Sequence, residues 1–204
     1  MNALYLFPFL AFQYILNPFP DAAPCSDWKL NAVKGSTKVY VRQCDDSPIK
    51  EFKATDQFYG NFDAVAQLMK AVETTQKVSS RCVEAKVLQR LDGATSIQYF
   101  LFSMPFGVSN REVIVKNIVR CSATQISSVS EEVDLPDLPV KKDVVRIKRS
   151  TASYLFTRLP NGLIEMEYIG RVDPNGEFPS WIINLLAKKE AIKIIDKLKS
   201  LAQN

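Results

Sequence analysis

Phe178-Pro179-Ser180-Trp181-Ile182-Ile183-Asn184 opens a stretch that runs to Ala202 as FPSWIINLLAKKEAIKIIDKLKSLA. Ile183, Ala187, Ile194, Leu198 and Leu201 recur in it at helical spacing. The spacing predicts one long amphipathic helix from about Pro179 to Ala202. What precedes it reads mainly as strands. A large, strongly curved sheet closed by a single helix encloses space, because no second helical layer fills its concave side. The fold class that follows is α+β, and the enclosed space points to an apolar ligand inside.

Alternation of polar and apolar residues marks the strands. Thr37–Arg42 (TKVYVR) and Ile49–Phe58 (IKEFKATDQF) alternate as half-buried strands do. Asn61 is placed to cap a helix carrying Phe62, Val65, Leu68, Met69 and Val72 on one face. Glu73–Arg81 is polar and reads as a loop. Strands are expected around Val83–Leu91, Ser96–Met104, Asn110–Cys121 and Gln125–Val133. Leu135-Pro136-Asp137-Leu138-Pro139 is a loop, since neither proline donates to a ladder. Val144–Leu159 and Leu163–Val172 form a hairpin turning at Pro160-Asn161-Gly162, followed by a turn at Asp173-Pro174-Asn175-Gly176. Asp27-Trp28-Lys29-Leu30 reads as a short helix start or a lead-in segment.

Composition excludes several kinds of chemistry. Of 204 residues 47% are hydrophobic and 24% charged, so a packed core is expected. The chain has no histidine, which removes Ser-His-Asp and Cys-His nucleophiles and His-ligated metals. Seven glycines leave no phosphate-cradling loop, and neither a metal nor a cofactor is expected. Asp45-Asp46 and Glu131-Glu132 are neighbours whose side chains point to opposite faces of a strand, so neither pair is an acid–base dyad. A net charge of +4, spread along the chain, does not indicate a nucleic-acid protein.

Cys25, Cys44, Cys82 and Cys121 are widely separated and lack C-x-x-C spacing. They read either as small buried apolar residues or as disulfide partners in an oxidising compartment, with connectivity open. Ala3–Leu16 is an apolar, aromatic-rich run too short to span a bilayer, followed by Asn17-Pro18-Phe19-Pro20. It reads as the apolar region of a secretory signal, so residues 1–24 are expected to be a signal peptide or apolar tail and residues 25–204 the mature domain, exported to the periplasm or exterior. No Lys or Arg precedes the run. A cytoplasmic or membrane-associated chain is the alternative.

Several segments, taken in order, carry a resemblance. They are Asp27-Trp28-Lys29-Leu30 with Lys38–Arg42, Ile49–Ala54, Cys82–Leu88, Met104-Pro105-Phe106-Gly107-Val108-Ser109-Asn110-Arg111-Glu112, Val144–Ile147, Asp173-Pro174-Asn175-Gly176 and Pro179–Asn184. Together they resemble the START (StAR-related lipid-transfer) domain of the Bet v1-like helix-grip superfamily, most of all the small exported bacterial START proteins. Gly107 stands where the family has its second Pro, Asp143 where it has a Gly, and Gln76 and Val78 where relatives have a Pro and a Trp. The resemblance implies a curved antiparallel sheet around the C-terminal helix, with an internal apolar tunnel that binds, and in relatives transfers, a lipid without chemistry. An aromatase/cyclase-like enzyme of the same superfamily and a regulatory module with a collapsed cavity are the alternatives.

The ligand-binding residues it implies are Gln98, Phe100, Phe102, Met104, Arg111, Val113, Val115, Asn117, Tyr154, Trp181, Ile183, Ala187, Ile194 and Leu198. Gln98 and Asn117 occupy the positions of the acidic residue and Arg of the sterol-transferring branch, and neither is charged. Arg111 and Glu112, adjacent on a strand, are expected to face opposite ways, Arg111 either meeting a ligand head group or pairing with a carboxylate to fix the strand. The helix and the loop near Leu135–Asp143 would form the entrance. Lys188, Lys189, Lys193, Lys197 and Lys199 give the helix a basic face, either merely solvated or resting transiently on an anionic membrane surface. The expected partner is a lipid or other apolar small molecule held by a monomer.

Overall fold

A computed structural model describes residues 24–105, 107–176 and 179–203. The apolar run at residues 3–16 lies outside these, as do Phe106, Glu177 and Phe178 of the quoted segments. The alternating segments become β1 (Lys29–Lys34), β2 (Thr37–Arg42), β3 (Glu51–Phe58), β4 (Cys82–Arg90), β5 (Thr95–Phe102), β6 (Asn110–Cys121), β7 (Gln125–Glu132), β8 (Val144–Arg146), β9 (Arg149–Arg158) and β10 (Ile164–Asp173). The helices are α1 (Phe62–Lys70), α2 (Thr74–Val78) and α3 (Ser180–Gln203). Asn61 caps α1 as expected, its side-chain oxygen accepting from the backbone N–H of Asp63 and Ala64 at 2.9 and 3.1 Å.

One ten-stranded sheet runs β1-β2-β3-β10-β9-β7-β6-β5-β4. Every neighbour on this path is antiparallel, and only the short β8 pairs parallel, with β6. Three expectations are corrected. Lys29 and Leu30 belong to an edge strand, not a helix start. β1 is exposed along nearly its whole length, which is why it shows no alternation. Residues 74–78 of the supposed polar loop form α2, whose Thr74 and Val78 are buried. The segment 144–159 is two strands, broken where Ile147 turns into the interior while its backbone N–H donates to the Glu112 carbonyl at 2.8 Å.

The loop after β7 does not sit at an entrance. Ile97, Tyr99 and Ile114 lie on the face of β5 and β6 opposite the helix, and Val133, Leu135 and Leu138 cover them there. Glu112, wholly buried, fastens this cover. It accepts from the Tyr99 hydroxyl at 2.9 Å and from Arg146 Nε and Nη2 at 2.9 and 2.6 Å. Arg146 Nη1 donates in turn to the Leu138 carbonyl at 2.7 Å. Lys141 adds a 2.6 Å ion pair with Glu84. Removing apolar surface from water and satisfying a buried carboxylate explain why the loop lies on the convex side, away from the concave one. In this segment Asp143 adopts φ 60°, a left-handed conformation that suits the Gly of the family pattern.

The C-terminal half of α3 is firmly packed. Ala191, Ile195, Leu198 and Ala202 are buried against Val39, Phe52, Phe58, Phe62 and Val65. Each fully buried Ile or Leu contributes about 1.5–3 kcal/mol. Lys199, expected on the basic face, instead turns inward and donates to Asp56 Oδ2 at 2.7 Å, the same oxygen that takes the Thr37 hydroxyl at 2.7 Å. The end of the helix is tied to α1 by Asn61 N–H donating to the Ala202 carbonyl at 2.8 Å. Cys25 and Cys44 form a disulfide that holds the lead-in of β1 to the end of β2, while Cys82 is a buried thiol and Cys121 an exposed one.

Burial opposes ionisation of Asp56, but hydrogen bonds from Lys199, Ser36, Thr37 and the Gln57 amide outweigh it and hold the carboxyl below its ordinary value of 3.8. A depressed folded-state pKa stabilises fully above the unfolded value and is lost as pH falls through the folded one. Stability is therefore expected to fall below about pH 4. Asp56→Asn should flatten that fall and cost about 2–3 kcal/mol at neutral pH, as loss of one partner from a largely buried pair does. Urea unfolding of both proteins between pH 2 and 7 checks this.

Candidate functional site

Between the concave face and α3 lies a cavity of about 550 Å³. Its persistence has a cause in the sequence. Ser128 and Ser130 on β7, Ser150 and Ala152 on β9, and Gly170 on β10 all line it. These side chains are too small to reach the helix. The N-terminal half of α3 consequently spans open space while its C-terminal half rests on packed core.

Alternation places the expected residues on this wall. Gln98, Phe100 and Phe102 of β5, with Met104 just beyond, line the cavity. So do Arg111, Val113, Val115 and Asn117 of β6, and Tyr154 of β9. From the helix come Ile183, Ala187, Ile194 and Leu198. Trp181 is the correction. It is 67% exposed and turned away, because Ile183 and Ala187, not the residue two before them, hold the inward face of α3. Sequence reading missed Tyr168 and Gly170. Counting outward from the turn at residues 160–162 places Tyr168 opposite Tyr154, the pairing the hairpin makes.

The polar wall residues are mostly engaged with one another. Asn117 Oδ1 accepts from the Ser128 and Ser130 hydroxyls at 3.0 and 2.8 Å, and Gln98 Nε2 donates to Ser96 at 3.0 Å. These five strand residues form a neutral polar band across β5, β6 and β7. Arg111 and Glu112 do face opposite ways. Arg111, on the cavity side, donates Nε to the Pro174 carbonyl at 2.8 Å and Nη2 to the Asn175 carbonyl at 3.0 Å, and also reaches the Ser109 carbonyl. It thereby fixes the turn that leads into α3, and burial lowers its pKa. Arg171 forks onto Asp46 at 2.6 and 3.0 Å, and that hydrogen bond holds Asp46 below the usual carboxylate range.

The wall offers little chemistry beyond hydrogen bonding. Burial pushes the Cys82 thiol up to about 11, so it stays protonated and is no nucleophile. Cys25, Cys44 and Glu51 bring ligand-type atoms together, but the two sulfurs are joined as a disulfide and have no thiolate to offer a metal. The exposed residues on the cavity's lining are Lys50, Val172, Lys189 and Lys193, which mark where it meets solvent.

Gly170 has a steric role. A Cβ there would lie 2.2 Å from the Tyr168 hydroxyl and 2.7 Å from its Cζ. Gly170→Ala should push the Tyr168 ring off the sheet and into the cavity. The expected cost is about 1–3 kcal/mol, typical of overpacking, with the strands intact. Denaturant unfolding together with a crystal structure of the variant checks both parts.

Comparison with known proteins fits this architecture. A profile described as START domain matches residues 22–204. An uncharacterized protein of Pseudomonas aeruginosa is 23% identical over 181 residues, covering 89% of each chain. START domain-containing protein 10 of mouse is 22% identical over 84% of this chain, which spans only 60% of that protein's length. Among solved structures, human STARD10 superposes with TM-score 0.78 at 20% identity, over 95% of this chain and 78% of that one. A STAR-related lipid transfer protein fragment from Xanthomonas axonopodis superposes with TM-score 0.76 at 24% identity, over 87% of this chain and all of that one.

Proposed function

The chain belongs to the START domain family, and from that premise we propose that it binds a lipid or similarly sized apolar molecule in the cavity under α3 and exchanges it with a membrane, without catalysing a reaction. Members of the family bind lipids and other hydrophobic ligands and are generally not enzymes. The observation that carries the reading is the cavity itself, about 550 Å³ and walled largely by apolar side chains. An apolar guest that fills such a volume removes the apolar lining from water, which is favourable. Apolar cavities take up apolar guests. The volume is in the range of small-molecule sites.

Membrane exchange is supported by the rim. Lys50, Lys189 and Lys193 surround the mouth. Trp181 and Leu185, 67% and 45% exposed, stand beside it on the first turns of α3. Cations with an exposed indole suit the interface of an anionic bilayer. Export is part of the same reading. The Cys25–Cys44 disulfide is the kind of bond that persists in an oxidising compartment, and the apolar run at residues 3–16 supplies a route there.

Two variants test the proposal. Ile194→Asp puts an unpaired charge on the cavity wall, where it is costly. It should abolish uptake of a fluorescent fatty-acid probe that the wild type binds. Trp181→Ala with Lys197→Glu, neither residue on the cavity lining, should leave probe binding unchanged but slow transfer from anionic vesicles, and less so at high salt, because screening shortens the attraction to ~10 Å at 0.1 M. Uptake that survives Ile194→Asp contradicts the binding site. Equal transfer rates from anionic and neutral vesicles contradict the membrane part.

A further inference from the structure

Tyr154 on β9 and Tyr168 on β10 pair directly across the hairpin. Their ring centroids are 4.9 Å apart at a 36° tilt, and both rings line the cavity. Tyr168 lies along its strand over Gly170, its hydroxyl 2.2 Å from where a Cβ of that residue would stand, so a side chain there would displace it. Neither hydroxyl has a hydrogen-bond partner among the described residues, although every fully buried side-chain nitrogen or oxygen there has one. The two phenols are therefore satisfied only from the space they face. The amides of the wall are half engaged: Asn117 Oδ1 accepts two hydroxyls and Gln98 Nε2 donates to Ser96, whereas each phenol has its whole hydroxyl to offer.

The charges around the pair decide what it fits. Glu190 on α3 shares the cavity lining with Tyr168 and is held by the Ser79 hydroxyl at 2.9 Å; burial first, then the charges of Glu190 and of Glu51 on β3, raise the pKa of Tyr168. Lys193 stands 3.8 Å from the Glu190 carboxylate, on the solvent side. An anionic head beside the phenols meets the field of Glu190 and loses its hydration. An uncharged hydroxyl accepts from a phenol and has its own proton to give to the neighbouring phenol or to Glu190. We propose that Tyr154 and Tyr168 are the hydrogen-bonding station for the polar end of the bound ligand, and that this end is an uncharged hydroxyl. The assignment rests on the lipid-binding reading above and goes further by naming the group recognised and the residues that recognise it. Burial raises both phenols, Tyr168 to about 12, so each remains a neutral donor at physiological pH.

Oleyl alcohol and cis-9-octadecene share the same unsaturated chain and differ in the hydroxyl, so the ratio of their affinities isolates that group. Equilibrium binding of both, and of oleate, is measured for the wild type, Tyr154→Phe, Tyr168→Phe and the double variant. The phenylalanines keep ring and packing. Each single change is expected to lower the alcohol-to-hydrocarbon affinity ratio about three- to tenfold, as loss of one neutral hydrogen bond does, with octadecene binding unchanged. An unchanged ratio, or equal weakening of both probes, overturns the station. Oleate bound more tightly than the alcohol, with the same loss in the variants, overturns the uncharged end while keeping the residues. Wild-type protein that takes up none of the probes overturns the lipid-binding reading itself.

Discussion

The packing of Ala191, Ile195, Leu198 and Ala202 against β2, β3 and α1 fixes the position of the one long helix, and the cavity exists because that packing covers only half of it. A fully seated helix would press Ile183 and Ala187 onto the sheet and close the space. A helix without the Asp56–Lys199 pair and the Asn61–Ala202 hydrogen bond would lose its fixed height above the sheet. Close packing is the rule in protein interiors, and here it is obeyed at one end of α3 and suspended at the other. Small side chains on β7, β9 and β10 suspend it.

The two faces of the sheet divide the work. On the convex face, Glu112 draws the Tyr99 hydroxyl, Arg146 and, through Arg146, the Leu138 carbonyl into one buried network, so the loop after β7 serves as cover. On the concave face the next residue, Arg111, spends its guanidinium on the carbonyls of the turn before α3. One strand thus anchors the outer cover and the approach to the helix with consecutive side chains. Exposed lysines lie at the rim of the cavity, while the groups inside, neutral amides and hydroxyls with the hydrogen-bonded Arg111 and Glu190, leave room for a guest with a long apolar body.

Much of this was legible in the sequence, because strands with one wet face announce themselves by alternation and hairpins by their turns. β2, β3, β5 and β6, the β9–β10 hairpin and α3 were all readable, as was the wall from Gln98 to Asn117. What was not readable has physical reasons. β1 is an edge strand with Leu30 and Val33 exposed at 58% and 59%, so no burial imposes a pattern on it. α2 is a single short helix whose polar residues look like loop. The stripe read on α3 mixed two partners. Ile183 faces the cavity, Ala187, Ala191, Ile194 and Leu198 meet both cavity and core, and Ile195 faces the core alone. Lys199 was read as surface because its partner, Asp56, lies far away in the chain. The emptiness under α3 could be argued from the lack of a second layer. Its location depends on Ser, Ala and Gly positions that look unremarkable one at a time.

Whether the space under α3 holds a guest decides what this protein does. Native mass spectrometry of the full chain, purified without detergent, followed by solvent extraction of the same sample, measures this most directly. The account predicts a population heavier than the bare chain by the mass of one lipid-sized molecule, recovered in the extract at up to one per chain. A chain that runs only at its bare mass and refuses long-chain amphiphiles on titration would contradict it.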